Sequence, residues 1–178
     1  MDPKNYPFEL PIATRDGQFV ARYSEKGLAG LNFPKSGRAE LRLGQAARQR
    51  SSTKQNGVPT RIHAWHRVTE TALKNILAGR KPKTLPPLDL AGTEFQKSVW
   101  NALRKIAFGN TKSYGEIAVA IGKPKAVRAV GGACGANPVP VLVPCHRVLA
   151  ANKKLGGFSG GLDRKRKLLA REGINLLL

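Results

Sequence analysis

The stretch SYGEIAVAIGKPKAVRAVGGACGAN, Ser113–Asn137, running directly into PVPVLVPCHRVLA, Pro138–Ala150, decides how the chain is to be read. Ser113 followed three residues later by Glu116 is a capping box, and it opens a short apolar helix that Gly122 and Pro124 stop. A second helical run, KAVRAVGGACGAN, begins at once. Helix, short glycine-containing turn and helix is the layout of a helix-turn-helix. The second helix offers Lys125, Arg128 and otherwise Ala, Val and Gly, too few long polar side chains to spell a base sequence in the major groove. Two accounts fit its small residues: another helix packs on them, or the helix backbone approaches a duplex closely, as a minor-groove approach with one inserted side chain would require.

The next segment joins an apolar run of strand type to Cys145, His146 and Arg147 through Pro144. A thiol becomes a good nucleophile only as the thiolate, and an imidazole can take its proton. Neighbours on an extended strand point to opposite faces, so His146 reaches Cys145 only across a bend or through a water. Pro144 supplies a bend. Taken by itself, Cys145 also fits a buried, inert thiol.

Upstream, Thr93 with Gln96 forms another capping box, and Phe95, Val99, Leu103 and Ile106 follow as an apolar stripe. In the first half, GQFVARYS and LAGLNFP read as a β-hairpin turning at Glu25 to Gly27. The segment 37–50 reads as helical, SSTKQNGVPT as a linker, and RIHAWHRVTETALKNILAGR as a helix stopped at Gly79. His63 and His66 lie three apart on that helix with no cysteine before Cys134, which is poor grounds for a metal site. The expected organisation is α+β: residues 1–90 a supporting unit with a small antiparallel sheet and helices, residues 91–178 a mostly helical unit carrying the helix-turn-helix and the thiol.

The chain of 178 residues carries 31 Lys and Arg against 11 Asp and Glu, a net charge of +20 with a pI near 10.8. The surplus is +10 on each side of Asp89, so it is no tail effect. Such a surplus repels itself and points to a polyanionic partner, nucleic acid first. No apolar stretch is long enough to span a bilayer, and the opening MDPKNYPFEL lacks the layout of a signal peptide. Two cysteines provide no disulfide framework, in keeping with a reducing, cytoplasmic setting.

With SYGEIA, GKPKAVRAVGGACGANPVPVLVPCHRV, GGFSGGL and LLAREG in place, residues 92–173 resemble the O6-alkylguanine-DNA alkyltransferases, or methylated-DNA-protein-cysteine methyltransferases. The resemblance implies a ribonuclease-H-like first half, a winged helix-turn-helix-like second half and a monomer able to cluster on DNA. It also implies a location in the cytoplasm at the nucleoid, or in a nucleus. The implied reaction is direct reversal of DNA damage without cofactor or metal. The alkyl group of O6-alkylguanine, and of O4-alkylthymine, passes once and irreversibly to Cys145. Carried onto matching positions, His146 acts through a water with Glu172 behind it, and Asn137 pins the turn. Tyr114 donates to the departing guanine and crowds the phosphate, supported by Lys165. Val148, Ser159, Pro140, Phe158 and Gly160 line the pocket, with Gly160 leaving room for an aromatic O6 group. Arg128 fills the stack vacated by a flipped base, since chemistry on a base needs it outside the duplex, and Lys123 and Lys125 accompany it on double-stranded DNA. Cys134 stands where relatives often carry Met, and Phe158 where a Tyr is frequent. Rival readings are a lesion-recognition protein, which would lack the cysteine, a sequence-specific regulator, which the small second helix disfavours, and a cysteine hydrolase, for which the basic surface has no use.

Overall fold

The computed structural model describes residues 6–34 and 57–175. The expected helix at 37–50 and most of the expected linker lie outside the described residues. The first half opens with three strands, β1 Phe8–Thr14, β2 Gly17–Tyr23 and β3 Leu28–Asn32, in an antiparallel sheet of order β1-β2-β3. In β1 and β2 alternate residues point inward: Leu10 and Ile12 on one strand, Phe19, Ala21 and Tyr23 on the other, with Ile12 opposite Phe19. The strand β1 is an addition to the expected hairpin. Pro11 interrupts its β pattern and lacks a donor, which an edge strand tolerates.

Helix α1, Thr60–Leu77, buries Ile62, Thr69, Leu73 and Ile76 and ends where expected, with Gly79 at φ +74°. Helix α2, Glu94–Arg104, starts on a complete Thr93–Gln96 capping box and buries Val99, Trp100 and Leu103. A two-residue strand β4, Lys112–Ser113, leads into α3, Tyr114–Ala120, whose Ser113–Glu116 box is also complete. After the turn comes α4, Val127–Gly135. Trp100 Nε1 donates to the Ala133 carbonyl at 2.8 Å, so the largest buried side chain ties α2 to α4 with its one polar atom satisfied. The chain then forms a 3₁₀ turn, Cys145–Arg147, a strand β5, Val148–Leu149, and helix α5, Leu162–Arg171. No described helix is long and apolar enough to cross a membrane.

Two features position the site. Strand β5 pairs in parallel with β4, Lys112 opposite Val148 and Ser113 opposite Leu149, which sets the start of α3 beside the residues following the thiol. The sheet also reaches across: Leu31 N donates to the Pro138 carbonyl at 2.8 Å. One buried cluster accordingly runs from Leu10 and Tyr23 through Leu73 and Trp100 to Val143, Cys145 and Leu168.

At the far end of this core α1 meets α5. A Cβ on Gly79 would lie 2.5 Å from the backbone oxygen of Arg171, and the residue already has a left-handed φ. Gly79→Ala is therefore expected to lower stability by roughly 2–3 kcal/mol, from conformational strain and backbone clash together. Urea denaturation of the two proteins measures it.

Candidate active site

Cys145 is 3% exposed, at the start of the 3₁₀ turn. The turn replaces the extended geometry that would have separated adjacent side chains: Pro144 sits at ψ 63° and Arg147 N donates to the Pro144 carbonyl at 3.0 Å. Asn137, just beyond α4, holds the loop from inside. Its Nδ2 donates to Val143 O at 2.8 Å and to Cys145 Sγ at 3.1 Å, while its Oδ1 accepts from Val139 N at 3.1 Å. Pro140 and Val141 lie in the loop so pinned, and Val141 takes φ +76°, a strained conformation for a β-branched residue. Burial pushes the Cys145 thiol above its ordinary pKa, against the lowering effect of the Asn137 donor. The resting sulfur is thus a protonated thiol and needs a base.

A candidate base is adjacent in sequence. His146 is fully buried, and its Nε2 donates to Glu172 Oε1 at 2.9 Å. Burial keeps the imidazole below its usual pKa although the Glu172 hydrogen bond pulls the other way, so the ring is neutral. With Nε2 protonated, the lone pair sits on Nδ1, a buried atom with no partner among the described residues. An unpartnered buried acceptor beside a buried thiol is the arrangement that general-base catalysis requires.

Glu172 follows directly on α5. Its Oε2 accepts from Arg147 Nε at 2.8 Å and from Gly109 N at 3.2 Å, and its Oε1 accepts from an Arg147 terminal nitrogen at 3.0 Å. The other terminal nitrogen of Arg147 donates to Ile106 O at 2.8 Å, and the guanidinium lies 5.4 Å from the Phe108 ring centroid. Burial alone would raise the Glu172 pKa, but hydrogen bonds from His146 and Arg147 outweigh it and bring the group down to about 2. Sequence reasoning quoted Arg147 but gave it no role. The signal was available: an arginine inside PVLVPCHRVLA has to be buried, and a buried cation needs an acid.

Around this relay, Lys165 is buried with Nζ bonded to the carbonyls of Val148 (2.6 Å), Leu155 and Gly157 (3.3 Å). Burial lowers its pKa to about 8. Tyr114 Oη donates to the same Gly157 carbonyl at 3.3 Å, so the two side chains expected to cooperate converge on one backbone atom. Val148 and Pro140 are buried, while Ser159 is exposed. Phe158 packs edge-on to Phe33 with centroids 5.7 Å apart. Gly160 does not border open space, because a Cβ there would lie 2.8 Å from both the Phe158 and Phe33 rings. Cys134 is buried inside α4, and burial drives its pKa up to about 12, the state of an inert thiol.

Arg128, Lys123 and Lys125 are exposed on the outer side of the helix-turn-helix, away from the buried relay. On α4, Arg128, Gly132, Gly135 and Ala136 fall at helical spacing along one exposed face. A Cβ on Gly132 or Gly135 would meet nothing within 4 Å. Among the described residues, no other helix packs on these glycines. Elsewhere, a cleft of about 830 Å³ lined by Lys81, Lys83, Arg104, Lys105, Pro144 and Arg147 touches the back of the catalytic turn but not Cys145. Among the described residues no group of three or more His, Cys, Asp or Glu is placed to hold a metal ion, and the Nδ1 of His66 is taken by Tyr23 Oη at 3.1 Å.

A helix-turn-helix with a bare outer face, set over a buried cysteine, histidine and glutamate relay, defines a nucleic-acid-directed protein built around one acceptor thiol. Comparison with known proteins agrees. Residues 94–174 match the family model described as 6-O-methylguanine DNA methyltransferase, DNA binding domain. The methylated-DNA–protein-cysteine methyltransferase of Methanosarcina acetivorans is 41% identical over 93% of this chain and 96% of its own length. That of Mycolicibacterium paratuberculosis is 61% identical, over 48% of this chain and 52% of the relative. The crystal structure of Mycobacterium tuberculosis OGT in complex with DNA superposes with a TM-score of 0.67 at 34% identity, over 91% of this chain and 90% of that one. The chain belongs to the methylated-DNA–protein-cysteine methyltransferase family.

The Glu172 carboxylate provides a direct check on the relay. Its folded-state pKa of about 2 lies below the unfolded value, so its contribution is complete above the unfolded pKa and is lost as pH falls through the folded one. Glu172→Gln is expected to cost about 3 kcal/mol at pH 7, the scale for breaking a buried pair. The gap between wild type and variant should close as the pH drops from about 4.3 toward about 2. Denaturation curves at pH 7 and at pH 3 give the comparison.

Proposed function

We propose that this chain repairs DNA by direct reversal, moving the alkyl group of O6-alkylguanine, and of O4-alkylthymine, onto Cys145 in a single turnover. One observation carries the reading: a buried thiol held by Asn137 beside a neutral His146 whose Nδ1 is unpartnered and whose Nε2 is anchored on ionised Glu172. His146 Nδ1 draws the Cys145 proton through a bridging water. The thiolate attacks the alkyl carbon, the S–C bond forms as the C–O bond breaks, and the electron pair goes to the guanine. Tyr114 turns its hydroxyl proton from the Gly157 carbonyl to the departing base, while Lys165 keeps its bond to that carbonyl. The product is a thioether, and nothing in the relay supplies a route to reverse it.

The partner in this reading is duplex DNA, approached from the minor groove by α4. The bare Arg128–Gly132–Gly135 face supports that approach, because helix backbone can come close only where side chains are absent. Lys123 and Lys125 meet phosphates, and Arg128 replaces the flipped base. The sheet with α1 packed on it supports a trimmed ribonuclease-H-like first half, and α3, turn and α4 beside the β4–β5 pair a winged helix-turn-helix-like second half. The two halves divide near residue 90, and the protein acts as a monomer that clusters along DNA at the nucleoid.

The test is intact-protein and peptide mass after reaction with an O6-methylguanine duplex. One methyl group per chain, on Cys145, is expected, whereas methylation of Cys134 or continued turnover would overturn the reading.

Two variants probe the DNA face. Arg128→Ala should slow repair in duplex DNA while leaving reaction with the free alkylated base unchanged, and should reduce the salt slope of binding by only about one unit. Gly132→Leu meets no protein atom within 4 Å of its Cβ, so it should fold normally yet weaken duplex binding. Filter binding and thermal melting together separate these effects.

A further inference from the structure

Four glycines, Gly156, Gly157, Gly160 and Gly161, make up half of the eight-residue loop between a second 3₁₀ turn, Ala151–Lys153, and α5. Such a loop loses much backbone freedom when ordered, so side-chain anchors must hold it. On its inner side the anchors are Lys165, bonded to the Leu155 and Gly157 carbonyls, and Tyr114, bonded to Gly157. On its outer side they come from the first half of the chain. Phe33, just past β3, packs on Phe19 at 5.7 Å and edge-on to Phe158 at 5.7 Å. Arg164 lies over the Phe33 ring at 5.1 Å and bonds to the carbonyls of Pro34 (2.7 Å) and Gly160 (3.4 Å). By contrast, a Cβ on Gly157 or Gly161 would meet nothing within 4 Å. Among the described residues, the clamp formed by Phe33 and Arg164 is the outer restraint on Phe158.

We infer that Phe33 is a specificity-determining residue for the size of the transferred group, acting through Phe158. The inference rests on the proposed function and on the expectation from the family resemblance that Phe158 lines the alkyl pocket; Phe158 directly follows Gly157, whose carbonyl accepts from both Tyr114 and Lys165. With Phe33 in place, the Phe158 ring is stopped from behind, and the pocket has a fixed depth. Methyl transfer needs no more room than that. A benzyl group needs the Phe158 wall to retreat, and the space behind it is filled by Phe33. The strand β3 is in turn fixed to the catalytic loop by the Leu31–Pro138 hydrogen bond, so clamp and nucleophile share one frame.

The experiment compares single-turnover rates on an O6-methylguanine duplex with rates on free O6-benzylguanine. Phe33→Ala is expected to raise the benzyl-to-methyl rate ratio about fivefold, and Phe33→Trp to lower it, the scale on which a modest change of pocket volume discriminates. General loosening of the fold would slow both reactions and leave the ratio in place. In a Phe158→Ala background, Phe33→Ala should leave the ratio unmoved, because its effect passes through that ring. Should Phe33→Ala fail to fold, Phe33→Leu keeps apolar volume against Phe19, loses the edge contact, and reads the same ratio. An unchanged ratio in these variants, or an equal shift with and without Phe158, overturns the inference. If the wild-type protein transfers neither group to Cys145, it is the proposed function that fails.

Discussion

A single buried carboxylate organises this molecule. Glu172 lies at the end of the last described helix, yet accepts hydrogen bonds from His146, Arg147 and Gly109, which belong to two separate loops. Taking a carboxylate out of water is costly by several kcal/mol, and the cost is offset only when every lone pair is met with good geometry. Here a bidentate guanidinium meets two of the four, which commits Arg147 to its rotamer and, through it, the 3₁₀ turn that carries Cys145. The same requirement fixes where α5 must end. Arg171, one residue earlier, forms a two-bond pair with Asp16 in the β1–β2 turn, and its carbonyl closes against Gly79. The catalytic turn is thus set by contacts distributed over the whole chain.

On the proposed reading, this arrangement stores the reactive residue in an unreactive state. Burial raises the Cys145 pKa, and the neighbouring imidazole is itself held neutral. A permanently ionised thiolate would be open to any electrophile or oxidant. A protonated thiol beside a prepared base is activated only when the proton can move, and on the proposed reading that coincides with a base filling the pocket. For an acceptor that works once, selectivity before the reaction matters more than turnover.

Much of this was legible in the sequence because it is local. Both capping boxes, the apolar stripe of α2, the stop at Gly79 and the succession of two helices across a short turn are written in residues within a few positions of one another, and the structure contains each. The pairing of Cys145 with His146 was legible as chemistry but not as geometry, since an adjacent pair reads as opposed faces until the 3₁₀ turn is known. Strand β1 was hidden by Pro11, whose missing donor is harmless at an edge. What local pattern could not carry was contact across the chain: Arg147 on Glu172, Leu31 on Pro138, Phe33 on Phe158. Each joins residues 20 or more positions apart, and nothing in spacing or composition selects such partners. Position 160 shows the consequence. As a bare glycine it reads as room for a ligand, but in the fold the room belongs to Phe33 and Phe158.

The charge distribution completes the argument about selection. Among the described residues most acids are already engaged: Glu9 with Arg22, Asp16 with Arg171, Glu70 with Lys74, Glu94 with Lys97, Glu116 with Lys112, Asp163 with Arg166 and Glu172 with Arg147. Exposed pairs of this kind contribute little stability. They do neutralise the negative groups locally, so the surplus of +20 reaches solvent as a nearly unopposed positive field. Such a field draws in any polyanion and distinguishes none. The outer face of α4 adds no sequence code, since Gly132, Gly135 and Ala136 present no side chain able to read a base edge. If, as proposed, α4 docks on the duplex, attraction and docking are indifferent to sequence, and discrimination is left to the one step with chemical content. On the proposed reading, a base that leaves the stack and enters the pocket reacts only if it carries a carbon that the Cys145 sulfur can displace.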